Sequence, residues 1–149
     1  MLNKIAEPLL QWYEKNHRIL PWRDSGNPYY IWISEIMLQQ TRVEAVRPYF
    51  DRFIEALPTI HDLAGCPEDR LLKLWEGLGY YNRVRNMQQA AIQIEEQYGG
   101  KLPADFDSLR SLKGIGDYTA GAIASIAFDL PVPPVVLALA NDFWLLTGV

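Results

Sequence analysis

The chain has 149 residues, 49% apolar and 12% aromatic, which fits one globular domain with enough apolar mass to fill a core and argues against disorder. Its net charge of −4 excludes a broadly basic nucleic-acid binder, so any phosphate contact has to be local, through backbone amides or a few arginines. Without an apolar run of about 18 residues or a charged-then-apolar leader, neither membrane spanning nor secretion is expected; the single Cys66 excludes an internal disulfide, a multi-cysteine zinc site and a self-contained iron–sulfur cluster, and suits a reducing cytoplasm.

Apolar residues recur at helical spacing and nowhere alternate with period two, so the fold class is all-α. Residues Leu9 to Asn16 form an amphipathic opening helix, with Pro8 tolerated near its first turn. Leu20-Pro21-Trp22-Arg23 and Ser25-Gly26-Asn27-Pro28 interrupt it, and the Asn-Pro step launches a second helix through Trp32-Ile33-Ser34-Glu35-Ile36-Met37-Leu38-Gln39-Gln40-Thr41. Glu35 stands alone as an acid in that apolar run. Either it lies on the wet face of an amphipathic helix, or it edges a cleft where partial desolvation raises its pKa and lets it carry a proton near neutral pH. Val43, Val46, Tyr49, Phe50, Phe53 and Ile54 form a core stripe on the next helix, with a kink or break expected at Pro48. A short helix from Ile60 to Ala64 follows the cap Thr59, and Pro67 opens another from Glu68 to Glu76. Val84, Met87, Ala91, Ile94 and Tyr98 mark a long helix stopped by Gly99-Gly100.

Two glycine-bearing turns carry chemistry. Gly77-Leu78-Gly79-Tyr80-Tyr81-Asn82-Arg83 places apolar and aromatic side chains beside Arg83 and Arg85, which suits a wedge pushed into a base stack with arginines gripping phosphate; the other reading is a helix–helix turn whose tyrosines cap the core. Leu112-Lys113-Gly114-Ile115-Gly116-Asp117-Tyr118-Thr119-Ala120 leads into a small-residue helix from Tyr118 to about Phe128. A helix before the turn, Ile115 between its glycines and the helix after it suit a helix–hairpin–helix whose amides can hold phosphate without a cationic side chain; the other reading is a plain helix–helix turn. His17 and His61 lie outside these motifs and belong to no metal constellation, and Cys66 before Pro67 reads as a small buried or turn residue.

LPWR at 20–23, WISEIMLQQT at 32–41, GLGYYNRVRN at 77–86 and LKGIGDYTAGAIASIAF at 112–128 together resemble the A/G-specific adenine DNA glycosylases, the MutY family of the endonuclease III superfamily, over residues 9–135. The resemblance implies a helix-hairpin-helix glycosylase fold: a first helix at about 1–17, a six-helix module at about 28–130 with its hairpin at 112–119, and a divergent apolar tail at 131–149. It implies that Glu35 protonates adenine and then helps activate water. Trp22, Arg23 and Leu38 would line the pocket for the extruded base, while Gln40, Thr41 and Leu78 would probe an opposing 8-oxoguanine and Tyr80 would intercalate. The backbone at Gly114, Gly116, Tyr118 and Thr119 would hold DNA, and the carbonyls of Arg110, Leu112 and Ile115 a Na⁺ or K⁺ ion. Tyr118 occupies the position of the nucleophilic lysine of strand-cleaving relatives, which implies base removal without efficient strand cleavage. The implied partner is double-stranded DNA with A:8-oxoguanine or A:G mispairs, in a bacterial-type cytoplasm.

The sequence also departs from the family. Val136 stands where the family has a catalytic Asp, and Asp142 lies six residues further along, so support for the developing sugar cation is expected to be impaired. Ending at Val149, the chain is expected to lack the four [4Fe-4S] cysteines and the separate lesion-recognition domain, leaving a truncated catalytic domain without the iron–sulfur half. Leu9, Leu10, Trp12 and Tyr13 would then need cover, from the tail or by self-association. Three functions stay open: an impaired adenine glycosylase, an inactive DNA-binding module, and another mismatch glycosylase such as a thymine glycosylase, against which the LQQT form speaks. Arg23, Arg42, Arg47, Arg83 and Arg85 are candidate phosphate contacts.

Overall fold

A computed structural model describes residues 26–39 and 41–130; the opening helix, Trp22, Arg23, Gln40 and the 131–149 tail with Val136 lie outside the described residues. The first described helix, α1 (Pro28–Met37), begins as the Asn-Pro step dictates. Pro28 takes the first turn, where its missing N–H costs no helical bond, and the Asn27 side chain accepts from the Tyr29 amide at 2.9 Å. Tyr29 and every residue from Ile31 to Met37 are buried, as expected of a helix enclosed on all sides by its own domain. The buried Ser34 hydroxyl is satisfied by donating to the Ile31 carbonyl at 2.8 Å.

α2 (Val43–Ala56) buries Val46, Phe50 and Phe53 along one face. Of the expected kink or break at Pro48, a break does not occur: the helix continues through it, with Pro48 and Glu44 on an exposed face while core residues on both sides hold the helix in place. α3 (Ile60–Ala64) opens with a reciprocal capping box between Thr59 and Asp62, and α4 (Glu68–Trp75) follows Pro67. α5 (Asn82–Tyr98) ends where Gly99 adopts φ +64° and the Gly100 amide donates back to the Ile94 carbonyl at 3.1 Å. α6 (Phe106–Arg110) is capped by Asp105, and α7 (Asp117–Phe128) buries its small-residue face from Thr119 to Ala124.

These seven helices contain no strand among the described residues, and none is long and apolar enough to cross a membrane. α1 lies between α2 and α7, α3 packs on α5, α4 bridges α2 and α5, and α6 folds against α7 to form the hairpin limbs. Trp32, Phe53 and Trp75 anchor the core, the last two edge to face with centroids 6.1 Å apart. Gln88 pins the α3–α4 loop to α5 by donating to the Leu63 and Cys66 carbonyls at 3.1 and 2.6 Å. Cys66 is buried there, with its thiol pushed up by desolvation.

Candidate active site and nucleic-acid interface

Glu35 is only 6% exposed, so it does not lie on a wet helix face. Its burial follows from topology: α7, whose alanines and glycine permit close approach, covers the side of α1 that carries it. Tyr118, in the first turn of α7, is its neighbour. Burial pushes the Tyr118 phenol above its ordinary value and the Glu35 carboxylate charge pushes it further, so Tyr118 stays a neutral hydroxyl at physiological pH. A buried carboxyl group beside a neutral phenol, where two helices meet, can exchange a proton with a group brought against it.

The hairpin supplies donors. Gly114 turns at φ +78°, with Leu112 and Ile115 buried as its footing and the Ile115 amide closing the turn on the Leu112 carbonyl at 3.1 Å. The amides of Gly114, Gly116 and Thr119 have no acceptor among the described residues, and α7 has no side-chain cap. They form an anion-ready cluster at a helix start. The Lys113 amide is not part of it, because the Gln93 side chain accepts from it at 2.9 Å and ties the hairpin to α5. Arg110 pairs with Asp117 across the hairpin. The Arg110 and Ile115 carbonyls have no donor among the described residues, and Leu112 retains a lone pair, an all-oxygen set that suits a hard monovalent cation.

The Gly77–Asn82 turn projects outward. Tyr80 is 64% exposed and Tyr81 38%, so neither caps the core, while Leu78 is half-buried against it. Tyr80 holds a left-handed φ of +52°, a conformation that costs a non-glycine residue about 1–2 kcal/mol, and the Arg83 guanidinium sits 4.8 Å from its ring centre. Leu38 and Thr41 are half-buried after α1, on the same connection as Gln40. Of the candidate phosphate contacts, Arg85 is engaged with Glu68 at 3.0 Å. His61 is exposed and pairs with Glu95 at 3.3 Å, and among the described residues no group of His, Cys, Asp or Glu is placed to hold a metal ion.

One feature was not legible in the sequence. A small cleft of about 30 Å³ opens where α1, the start of α5 and the hairpin meet, with Trp32, Arg83, Asn86 and Lys113 among its walls. The Trp32 indole N–H, completely buried, has no acceptor among the described residues. Asn86 also sets the hairpin's height, because a methyl group at Gly114 would stand 3.0 Å from the Asn86 Cβ. No local signal announced Asn86 or Gln93, since each depends on a partner more than 15 residues away.

Known proteins agree with this geometry. Adenine DNA glycosylases of Rattus norvegicus and of Buchnera aphidicola subsp. Baizongia pistaciae are each 45% identical, over 81% and 83% of this chain, which spans only 25% and 36% of their lengths. A thermostable thymine-DNA glycosylase superposes with a TM-score of 0.74 at 27% identity, covering 86% of this chain and 59% of that one. Endonuclease III in a trapped covalent intermediate with DNA gives 0.67 at 30% identity over 70% of this chain and 50% of its own. Residues 33–138 match the family of HhH-GPD superfamily base excision DNA repair proteins, and with that match covering the buried acid, the exposed turn and the hairpin, the chain belongs to this superfamily.

Proposed function

We propose that this chain is the core of an adenine DNA glycosylase, which hydrolyses the N-glycosidic bond of adenine paired with 8-oxoguanine or guanine in duplex DNA. The observation that carries the reading is the Glu35 carboxyl group, 6% exposed, beside Tyr118 and next to a hairpin rich in uncommitted amides. Similarity to adenine DNA glycosylases supports the choice of base, and the DNA-bound endonuclease III neighbour supports a DNA substrate.

Adenine is a poor leaving group until it is protonated. Glu35 delivers a proton to the ring, the C1′–N9 bond breaks with its electron pair leaving on the base, and the sugar becomes oxocarbenium-like. The Glu35 carboxylate then accepts a proton from the water that adds at C1′, which restores the acid and leaves an abasic site. The base reaches Glu35 only when extruded from the stack, into a pocket of Leu38, Trp22 and Arg23, with Tyr80 filling the vacated space. Gln40, Thr41 and Leu78 test the opposing base, and the amides of Gly114, Gly116, Tyr118 and Thr119 hold the backbone. Tyr118 cannot form an imine, so the strand is not cleaved through a Schiff base. The carbonyls of Arg110, Leu112 and Ile115 would hold Na⁺ or K⁺, which would fix the hairpin's shape. A bacterial-type cytoplasm, with the protein on DNA, is the setting, and self-association would cover the opening helix.

Val136 supports a second reading, a DNA-binding module with impaired turnover, because valine cannot stabilise the sugar cation. Single-turnover adenine release from an A:8-oxoguanine duplex decides. Release that rises on Val136→Asp is expected of an impaired glycosylase; tight binding without release in either form supports the module, and thymine release from a mismatch supports neither.

A further inference from the structure

In the turn that carries the exposed tyrosines, Gly77, Gly79 and Tyr80 hold positive φ values of +100°, +74° and +52°. Glycine adopts such a backbone freely, but for Tyr80 it is strained. A strained residue with a side chain persists only where its surroundings over-determine it. Those surroundings centre on Trp75. It ends α4, is 1% exposed, and its indole packs edge to face on Phe53 of α2. From that fixed position it holds the turn twice: its carbonyl accepts from the Leu78 amide at 3.1 Å, and its indole N–H donates to the Gly79 carbonyl at 3.0 Å. The Gly79 carbonyl and the Tyr80 amide belong to one planar peptide unit, so the bond that fixes this carbonyl also fixes φ of Tyr80. Flipping the unit would return Tyr80 to an ordinary negative φ but strand a buried indole N–H without its acceptor, so relief of the strain is opposed by a new deficit. Steric support is absent at this point among the described residues, since a Cβ at Gly79 would meet nothing within 4 Å. Arg83 fixes the peptide unit on the other side of Tyr80, its amide donating to the Tyr80 carbonyl at 3.0 Å.

We propose that Trp75 is a positioning residue for base extrusion: its indole N–H locks the Gly79–Tyr80 peptide unit and so presets the exposed Tyr80 ring as a wedge before DNA arrives. The proposal rests on the preceding reading of Tyr80 as the residue that enters the base stack. A ring carried on a freely rotating turn must lose conformational freedom at the moment of insertion, whereas a ring fixed by the fold has lost it already. Trp75 is too deeply buried to touch the duplex and acts only through Tyr80. Its effect therefore falls on the step that opens the stack and not on the first grip of the duplex, which belongs to the hairpin amides.

The test uses Trp75→Phe in the full chain, which keeps an aromatic ring against Phe53 and deletes the donor. A second form carries benzothienylalanine at position 75, which has the shape of tryptophan with sulfur in place of the N–H, and serves should the phenylalanine form fail to fold. Without DNA, the strong intraresidue amide–Hα nuclear Overhauser effect that marks a positive φ at Tyr80 should weaken in both forms. With an A:8-oxoguanine duplex carrying 2-aminopurine beside the mispaired adenine, stopped-flow fluorescence reads unstacking and anisotropy reads binding. Unstacking should slow by about 3- to 10-fold, the scale of one hydrogen bond, while affinity changes by less than about twofold. In a Tyr80→Ala background, itself slow to unstack, neither replacement at Trp75 should slow the step further. An unchanged Overhauser effect, or a slowing that persists undiminished in the Tyr80→Ala background, overturns the role of Trp75 alone. Unstacking by Tyr80→Ala at the parental rate, or no binding of duplex by the parent chain, overturns the wedge reading and this proposal with it.

Discussion

Gly77→Ala should be among the most damaging methyl additions in the described part of the chain. Gly77 sits at φ +100°, outside the comfortable range of an L-residue, and its new Cβ would overlap the Tyr49 hydroxyl and stand 3.2 Å from the Tyr49 Cζ. The backbone alone costs about 1–2 kcal/mol. Tyr49 is half-buried against the core, with Arg52 stacked 4.8 Å from its ring centre, so moving it adds an overpacking cost of about 1–3 kcal/mol. The expected loss is therefore about 2–5 kcal/mol, read from the midpoint of urea unfolding. Two controls isolate the parts. Gly79→Ala, at φ +74° in open space, should show the backbone cost only. In a Tyr49→Phe background the overlap with the hydroxyl is gone, so Gly77→Ala should recover about 1 kcal/mol or more of its loss. Equal losses at Gly77 and Gly79, or no recovery with Tyr49→Phe, would refute the reasoning that Tyr49 fixes the turn carrying Leu78 and Tyr80.

Other outcomes follow from the same contacts. Thr59→Ala removes the acceptor that holds the Asp62 amide at 3.2 Å and half of a reciprocal cap, and should cost about 1 kcal/mol in the same unfolding assay. Tyr29, whose hydroxyl donates to the Leu57 carbonyl at 2.7 Å, and Tyr118 are both raised above the ordinary phenol value, chiefly by burial. Because the folded values lie above the unfolded value near 10, their contribution to stability is intact below about pH 10 and lost as pH rises beyond it. Ultraviolet titration of the native protein should leave these two tyrosines protonated after the exposed ones have ionised; replacing either by Phe should reduce the alkaline loss of stability.

Local chemistry carries much of the fold. Asn27-Pro28, Thr59 with Asp62, Pro67 and Gly99-Gly100 each satisfy or spare orphaned backbone groups within a few residues, so their helices were readable from the sequence. Whether Pro48 ends its helix is not decided locally, because a proline's cost depends on whether the freed carbonyl meets water and on the packing to either side, which only the fold determines. The anomaly of Glu35 was visible in the chain, but its burial was not, because α7 lies more than 80 residues away in sequence and supplies the cover. Likewise, glycine at 77 signals a turn without naming Tyr49 as the reason. Helix starts and stops are set by neighbours in sequence, and the site by neighbours in space.

The most direct test of the account measures single-turnover adenine release from an A:8-oxoguanine duplex by the Val136→Asp chain with and without Glu35→Gln, alongside duplex affinity. If Glu35 is the buried proton donor, the amide should lower release by about 10²- to 10⁴-fold while affinity changes little. Release at the parental rate from the Glu35→Gln chain would contradict that central claim.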